Sequence, residues 1–149
     1  MEILPLFVFS VSIAFLIAKL EINIEGKHGW AKNLPTWRIK NKWTKIIMRE
    51  YPLTGYHLYL MLTVLSFLHF PFFFETRWSL SKELITLGLY FFIFLLEDFF
   101  WFVLNPHFGL KKFHKDHIDW HHKWVFNIPI MYFNFLLIAI LFFTFSQLI

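Results

Sequence analysis

The sequence predicts an all-α integral membrane protein, a four-helix bundle whose two cytoplasmic loops carry short interfacial helices. Three observations predict it. Of 149 residues, 58% are hydrophobic and 16% charged, against roughly 25% charged in soluble domains. A domain of this size exposes a large share of its surface, so it has no interior able to hide 22 Phe and 7 Trp. The apolar residues also fall into four blocks, each near the roughly 20 residues a helix needs to cross a bilayer.

The first block, Leu4–Leu20, follows Glu2 without a basic leader or an A-x-A cleavage site, and so reads as a true span rather than a removable signal peptide. The second is Leu53–Phe74, the third Leu84–Leu104 and the fourth Val125–Phe145. No internal repeat or low-complexity linker divides them, so residues 1–149 form a single transmembrane domain. Between the first two blocks lie Lys27, Lys32, Arg38, Lys40, Lys42, Lys45 and Arg49. Between the last two lie Lys111, Lys112, Lys115 and Lys123. The short loop Glu75–Glu83 holds only Arg77 and Lys82. By the positive-inside rule both long loops are cytoplasmic and both termini outside. The net charge of +4 thus reports topology and contact with anionic lipid, not nucleic-acid binding. Trp30, Trp37 and Trp43 suit a first loop lying among lipid headgroups.

With no cysteine, disulfides, thiolate metal sites and cysteine nucleophiles are excluded. The remaining polar residues gather at the cytoplasmic end. Glu97 and Asp98 lie roughly 10 Å inside the third span. Each costs up to about 3 kcal/mol at a helix centre, so such acids normally face the bundle interior with a partner. Neighbouring helical residues diverge by about 100°. One acid is therefore expected to serve a site while the other pairs with Lys or Arg, or stays protonated. His57 sits one turn inside the second span; His69, twelve residues on, falls at the outer end and outside any cytoplasmic site. Asn127 and Asn134, seven apart, share a face of the fourth span.

Five of the eight histidines fall between 107 and 122. His114, His117 and His121, spaced i, i+3, i+7, form one stripe if the segment is helical. His122 adjoins it, with Asp116 and Asp119 between. Imidazoles beside carboxylates suit Fe, Zn or Mn. The alternative is a basic aromatic interfacial helix with no metal. An H-E-x-x-H zinc motif is absent, because Ile118 follows His117. No serine lies on the cytoplasmic side to build a Ser-His-Asp triad.

Glu97-Asp98-Phe99-Phe100-Trp101-Phe102, followed by Phe113-His114-Lys115, His117 and His121-His122, resembles part of the fatty acid hydroxylase and sterol desaturase superfamily. The likeness covers about thirty residues. It implies four spans, cytoplasmic histidine boxes and a pair of non-haem irons that activate oxygen against a lipid C–H bond. Asn105-Pro106-His107-Phe108-Gly109 stands where the first box belongs and offers one histidine; it also reads as a plain helix stop. The second box's histidine pair is displaced to His121-His122, and no histidine follows. A reduced site remains, with His114, His117, His121 and Glu97 or Asp98 as ligands, joined by His57, His107 and His122 if a second metal binds.

The expectation is a membrane-embedded oxidase or hydroxylase, with non-haem iron ahead of zinc or manganese. Its partners would be membrane lipids, a lipid or apolar substrate and an electron-donor protein. Glu97 would serve as ligand or base, and Asn134 and Asn127 would orient substrate or water. The main alternative is a non-catalytic membrane protein, either an ion or proton pathway or a subunit of a larger complex. Lipid remodelling by the basic first loop ranks behind both.

Overall fold

The computed structural model describes residues 3–47, 51–74, 77–118, 120–121 and 123–149. Its elements in chain order are α1 (Ile3–Glu25), β1 (Arg38–Ile39), α2 (Lys42–Ile47), β2 (Leu53–Thr54), α3 (Gly55–His69), α4 (Leu80–Leu104), β3 (Trp124–Val125), β4 (Ile128–Pro129) and α5 (Ile130–Leu148). Four helices are long and apolar enough to cross a membrane: Leu4–Glu25, Gly55–Phe73 including a closing 3₁₀ turn, Leu80–Leu104 and Ile130–Leu148.

Local chemistry sets the ends of these helices. Helix α1 runs beyond Leu20 because Glu21-Ile22-Asn23-Ile24-Glu25 keeps the helical burial pattern, with Glu21, Ile22 and Glu25 turned inward. It stops at Gly26, whose φ of +63° closes the last turn by donating its N–H to Ile22 O at 2.9 Å. Thr54 caps α3, its Oγ1 accepting the His57 N–H at 3.2 Å. Ser79 caps α4 in the same way through Lys82. At the far end of α4, Asn105-Pro106 leaves the helical conformation, and buried Asn105 ties the stop to the end of α1 by donating Nδ2–H to Gly26 O at 2.8 Å.

Helix α4 is the central element, packed along most of its length against α1 and α5 and more lightly against α3. Phe7 meets Phe92 and Phe15 meets Phe100, so α1 and α4 run in the same direction. Helix α5 runs against α4, joined at one end by Ser81 Oγ–H to Ser146 O and at the other by Tyr132 to Asp98. The termini of α1, α3, α4 and α5 that carry both long loops therefore meet at one end of the bundle. The mid-bundle core centres on Ala14, Ile17, Val64, Leu89 and Ile93. A second core at the loop end joins Ala18, Ile22, Trp101, Phe102 and Ile118, with Trp120 and Phe113 packed on it. Phe67, Leu16 and Leu137 point outward, the pattern of a surface solvated by lipid.

Two expectations are corrected here. The segment carrying His114, His117 and His121 is not a helical stripe: apart from a short 3₁₀ turn at Leu110–Lys112, its described residues form turns, bends and irregular chain. An isolated helix this short is marginal. Here the His114 ring nitrogen accepts the Asp116 N–H at 3.4 Å, competing with helical pairing. The fourth span begins at Ile130, not Val125. Phe126 and Asn127, with φ of +49° and +61°, form the two-residue turn of a hairpin pairing Trp124 with Pro129 and Val125 with Ile128. Asn127 thus shares no helix face with Asn134. In the first loop, the short α2 is the helix found among the described residues, and β1 pairs with β2.

Candidate metal centre

The inner face of α1 reads Ser10, Ala14, Ala18, Glu21, Glu25, all buried and spaced four, four, three and four apart. Small residues let α1 approach α4, and the same stripe then delivers two glutamates to the loop end of the bundle. Glu97, 6% exposed, faces them from α4. Glu21 and Glu97 line the same cavity, so two buried carboxyl groups share one small volume. Buried carboxylates brought together in this way are paired or coordinate a cation.

Across from α1, α3 supplies His57, with Nε2 3.8 Å from Glu25 Oε1. Three neighbours fix the ring. Thr54 Oγ1 lies 2.7 Å from Nδ1, the Trp30 indole stacks on the ring at 4.5 Å and 25°, and Tyr56 meets it edge-on. Glu25 is held by the chain turn after α1, where the buried Ala31 N–H donates to Oε1. That turn places two consecutive non-glycine residues, Trp30 and Ala31, at φ of +58° and +50°. Residues so held cost about 1–3 kcal/mol each and need surrounding structure to hold them. Arg38 provides it, donating to the carbonyls of Ala31, Lys32, Leu34 and Thr36.

Among the described residues, Glu21, Glu25 and His57 are the one group of three whose ligand atoms all lie within 4.8 Å of one another. They line a cavity of about 330 Å³ together with Glu97, Asp98 and His121. Its deeper wall is apolar, built from Leu60, Met61, Phe91, Phe94 and Phe135. Lys123 is the one Lys or Arg among its described lining residues. Trp101 Nε1, a buried donor in that lining, makes no well-formed hydrogen bond among the described residues, and neither does the buried Tyr56 Oη outside it.

Glu97 and Asp98 do diverge, yet both reach the cavity. Asp98 pairs with neither Lys nor Arg among the described residues. Its Oδ2 accepts the Tyr132 O–H at 2.6 Å and lies 3.1 Å from His121 Nε2. His57 belongs to the cluster, and His121 is buried and lines the same cavity. His114 is half-exposed and pairs with Asp116 at 3.2 Å, His117 is exposed, and the two are not gathered with His121 into one close group. His107 is exposed in the turn after α4, where its N–H donates to Asn105 Oδ1 at 3.0 Å, as the helix-stop reading expects. Asn134 is exposed on α5 and does not line the cavity. His122 lies outside the described residues. His69 sits at the opposite end, 3.0 Å from Glu83.

Glu21 and Glu25 were missed because hydropathy falls at Glu21 and the first span was ended there. The signal was the spacing of Ala14, Ala18, Glu21 and Glu25, which continues one helix face past the apolar block. No family model matches the chain, and neither a curated protein nor a solved structure does.

Proposed function

We propose that this chain is a membrane-embedded, metal-dependent oxidase or hydroxylase acting on a lipid or other apolar substrate at the cytoplasmic end of its bundle. One observation carries the reading: a single cavity joins carboxylates and imidazoles at the loop end to an apolar wall between the spans. The first feature suits a divalent cation and the second an apolar chain. The likeness of residues 97–122 to membrane hydroxylases adds support, although the loop histidines His114 and His117 do not fit a histidine-box centre as they stand. Non-haem iron is the first choice of metal, with manganese or zinc as its rivals. A redox-active ion with open positions would supply oxygen activation. The chain's own residues bind and orient: Trp30 covers His57, Trp101 and Trp120 line the polar end, and Phe91 and Phe94 exclude water from the apolar part.

Hydroxylation places one atom of O₂ in the product and reduces the other to water, consuming two electrons and two protons. An electron-donor protein is therefore part of the proposal. Docking on the basic loops follows if those loops are cytoplasmic, as the positive-inside rule expects. The chain lacks cysteine, so single cysteines placed at Lys40 and Lys82 can be probed with an impermeant reagent to test sidedness.

The functional test is oxygen uptake by detergent-purified, iron-loaded protein with a chemical reductant and lipid extract, followed by mass spectrometry of the lipids. Reductant-dependent uptake with a +16 Da lipid product, absent in Glu97→Gln, supports the reading. No uptake with iron bound sinks it. The second reading, an ion or proton pathway, is favoured by four acids lining one cavity. Proton flux in vesicles that vanishes with Glu97→Gln would support that reading instead.

A further inference from the structure

We infer that the chain binds a divalent cation through Glu21 and Glu25 of α1 and His57 of α3, with Glu97 of α4 as a fourth donor, and not through its histidine-rich loop. This deepens the metal-dependent reading by naming the ligands, but it rests on geometry that is independent of any activity. Donors on one ion, each about 2.1 Å from it, sit about 3–4.2 Å apart. The 3.8 Å between His57 Nε2 and Glu25 Oε1 falls in that range. The 4.8 Å bound on Glu21, Glu25 and His57 closes with a few tenths of an ångström of side-chain movement, and Glu97, which lines the same cavity, lies outside that bound and must swing in to join them.

Three further observations point to a ligand, not a bare acidic patch. Trp101 is 4% exposed and lines the cavity, and its Nε1–H makes no well-formed hydrogen bond among the described residues. A water carried by the cation would accept it. His57 is oriented as imidazole ligands are: with the ring proton on Nδ1 donated to Thr54 Oγ1, the Nε2 lone pair faces the glutamates. Glu25 is held by the Ala31 N–H, donated to Oε1 in a left-handed turn clamped by Arg38, and the second lone pair of that oxygen is left for the ion.

Charge balance fits as well. Glu21, Glu25 and Glu97 are buried carboxyl groups lining one cavity with Asp98, and a divalent ion among them would offset two of their negative charges. Buried charge of this kind is paired or coordinates metal. Carboxylate oxygens with one imidazole and no thiolate select an ion of the Mn²⁺ or Fe²⁺ type.

The test is metal titration of the full chain in detergent, stripped with a chelator and refilled with Mn²⁺ read by electron paramagnetic resonance. Wild type should take up one equivalent. Glu25→Gln and His57→Asn should each weaken binding at least 100-fold, while the double variant His114→Ala/His117→Ala should bind as wild type. Circular dichroism and gel filtration confirm that each variant is folded, and Glu21→Gln provides a second neutral, near-isosteric probe on the same helix. Wild-type affinity in all three cluster variants overturns the assignment, as does loss of binding in the loop variant or no uptake by wild type. Because the readout is metal content, a bound ion without oxygen uptake sinks only the oxidase reading. Oxygen uptake with metal retained in Glu25→Gln and His57→Asn sinks only the ligand assignment.

Discussion

Replacing Thr54 by Val isolates the link between helix capping and the proposed metal centre. Thr54 is fully buried, and its hydroxyl makes two contacts: it accepts the His57 N–H at the start of α3 and meets His57 Nδ1 at 2.7 Å. Valine has nearly the same volume, so no cavity opens. Loss of the cap costs about 1 kcal/mol. Stranding a buried ring nitrogen costs about 1–3 kcal/mol more. The metal-free variant should therefore be less stable by about 2–4 kcal/mol. Removing a contact that orients a ligating imidazole typically weakens metal binding about 10–100-fold. At free Mn²⁺ of 100 times the wild-type Kd, bound metal stabilises wild type by about 2.7 kcal/mol. The same concentration should stabilise Thr54→Val by only about 1.4 kcal/mol for a tenfold loss and about 0.4 kcal/mol for a hundredfold loss. Unfolding in detergent followed by circular dichroism, with chelator and with Mn²⁺, measures both quantities. Thr54→Ser keeps the hydroxyl and should restore both. A Thr54→Val protein stabilised by Mn²⁺ as strongly as wild type would refute the claim that Thr54 positions His57 for a cation.

Three other outcomes are expected. A Cβ at Gly29 would lie 2.6 Å from the Trp120 ring, which stacks at 12° on the fully buried Phe102 and cannot retreat. Gly29→Ala should therefore cost about 1–3 kcal/mol and dim the near-ultraviolet circular dichroism; wild-type values for both would contradict that packing. Tyr132→Phe removes the 2.6 Å hydrogen bond to Asp98 and should lower stability by about 1.5–3 kcal/mol in the same unfolding assay. The partly exposed His69–Glu83 pair lies at the other end of the bundle, so Glu83→Gln should cost under about 1 kcal/mol and leave metal content unchanged.

Much of this architecture was legible in the sequence because bilayer thickness dictates the length of an apolar helix. The third span was read to its last residue, Leu104, where Asn105-Pro106 stops it. His57 and Glu97 were placed at the same end by counting residues, and His69 was excluded by the same count. The errors arose where hydropathy and helix boundaries part company. Helix α1 outlasts its apolar block because Glu21 and Glu25 are buried against α3 and α4, a partnership no local window contains. The fourth helix starts late because the hairpin Trp124–Pro129 is closed by Phe126-Asn127, not by the Asn-Gly pair that announces such turns.

The sequence by itself determined the solvent of this protein: four apolar blocks, basic loops and a few buried acids point to a bilayer whatever the contacts between helices. It also determined which residue types were present for chemistry, with no thiol and with histidines and carboxylates concentrated at one end. Only the tertiary structure decided which of them meet. Glu25 and His57 are 32 positions apart in the chain and 3.8 Å apart in space, while His114 and His117, three apart in sequence, do not combine with His121 into a site. The reason is physical. Spacing along a chain becomes proximity only where the segment is a helix, and between helices proximity comes from packing. Here small side chains on α1 bring its two glutamates against α3 and α4, and the aromatic core under the second loop holds that segment in turns.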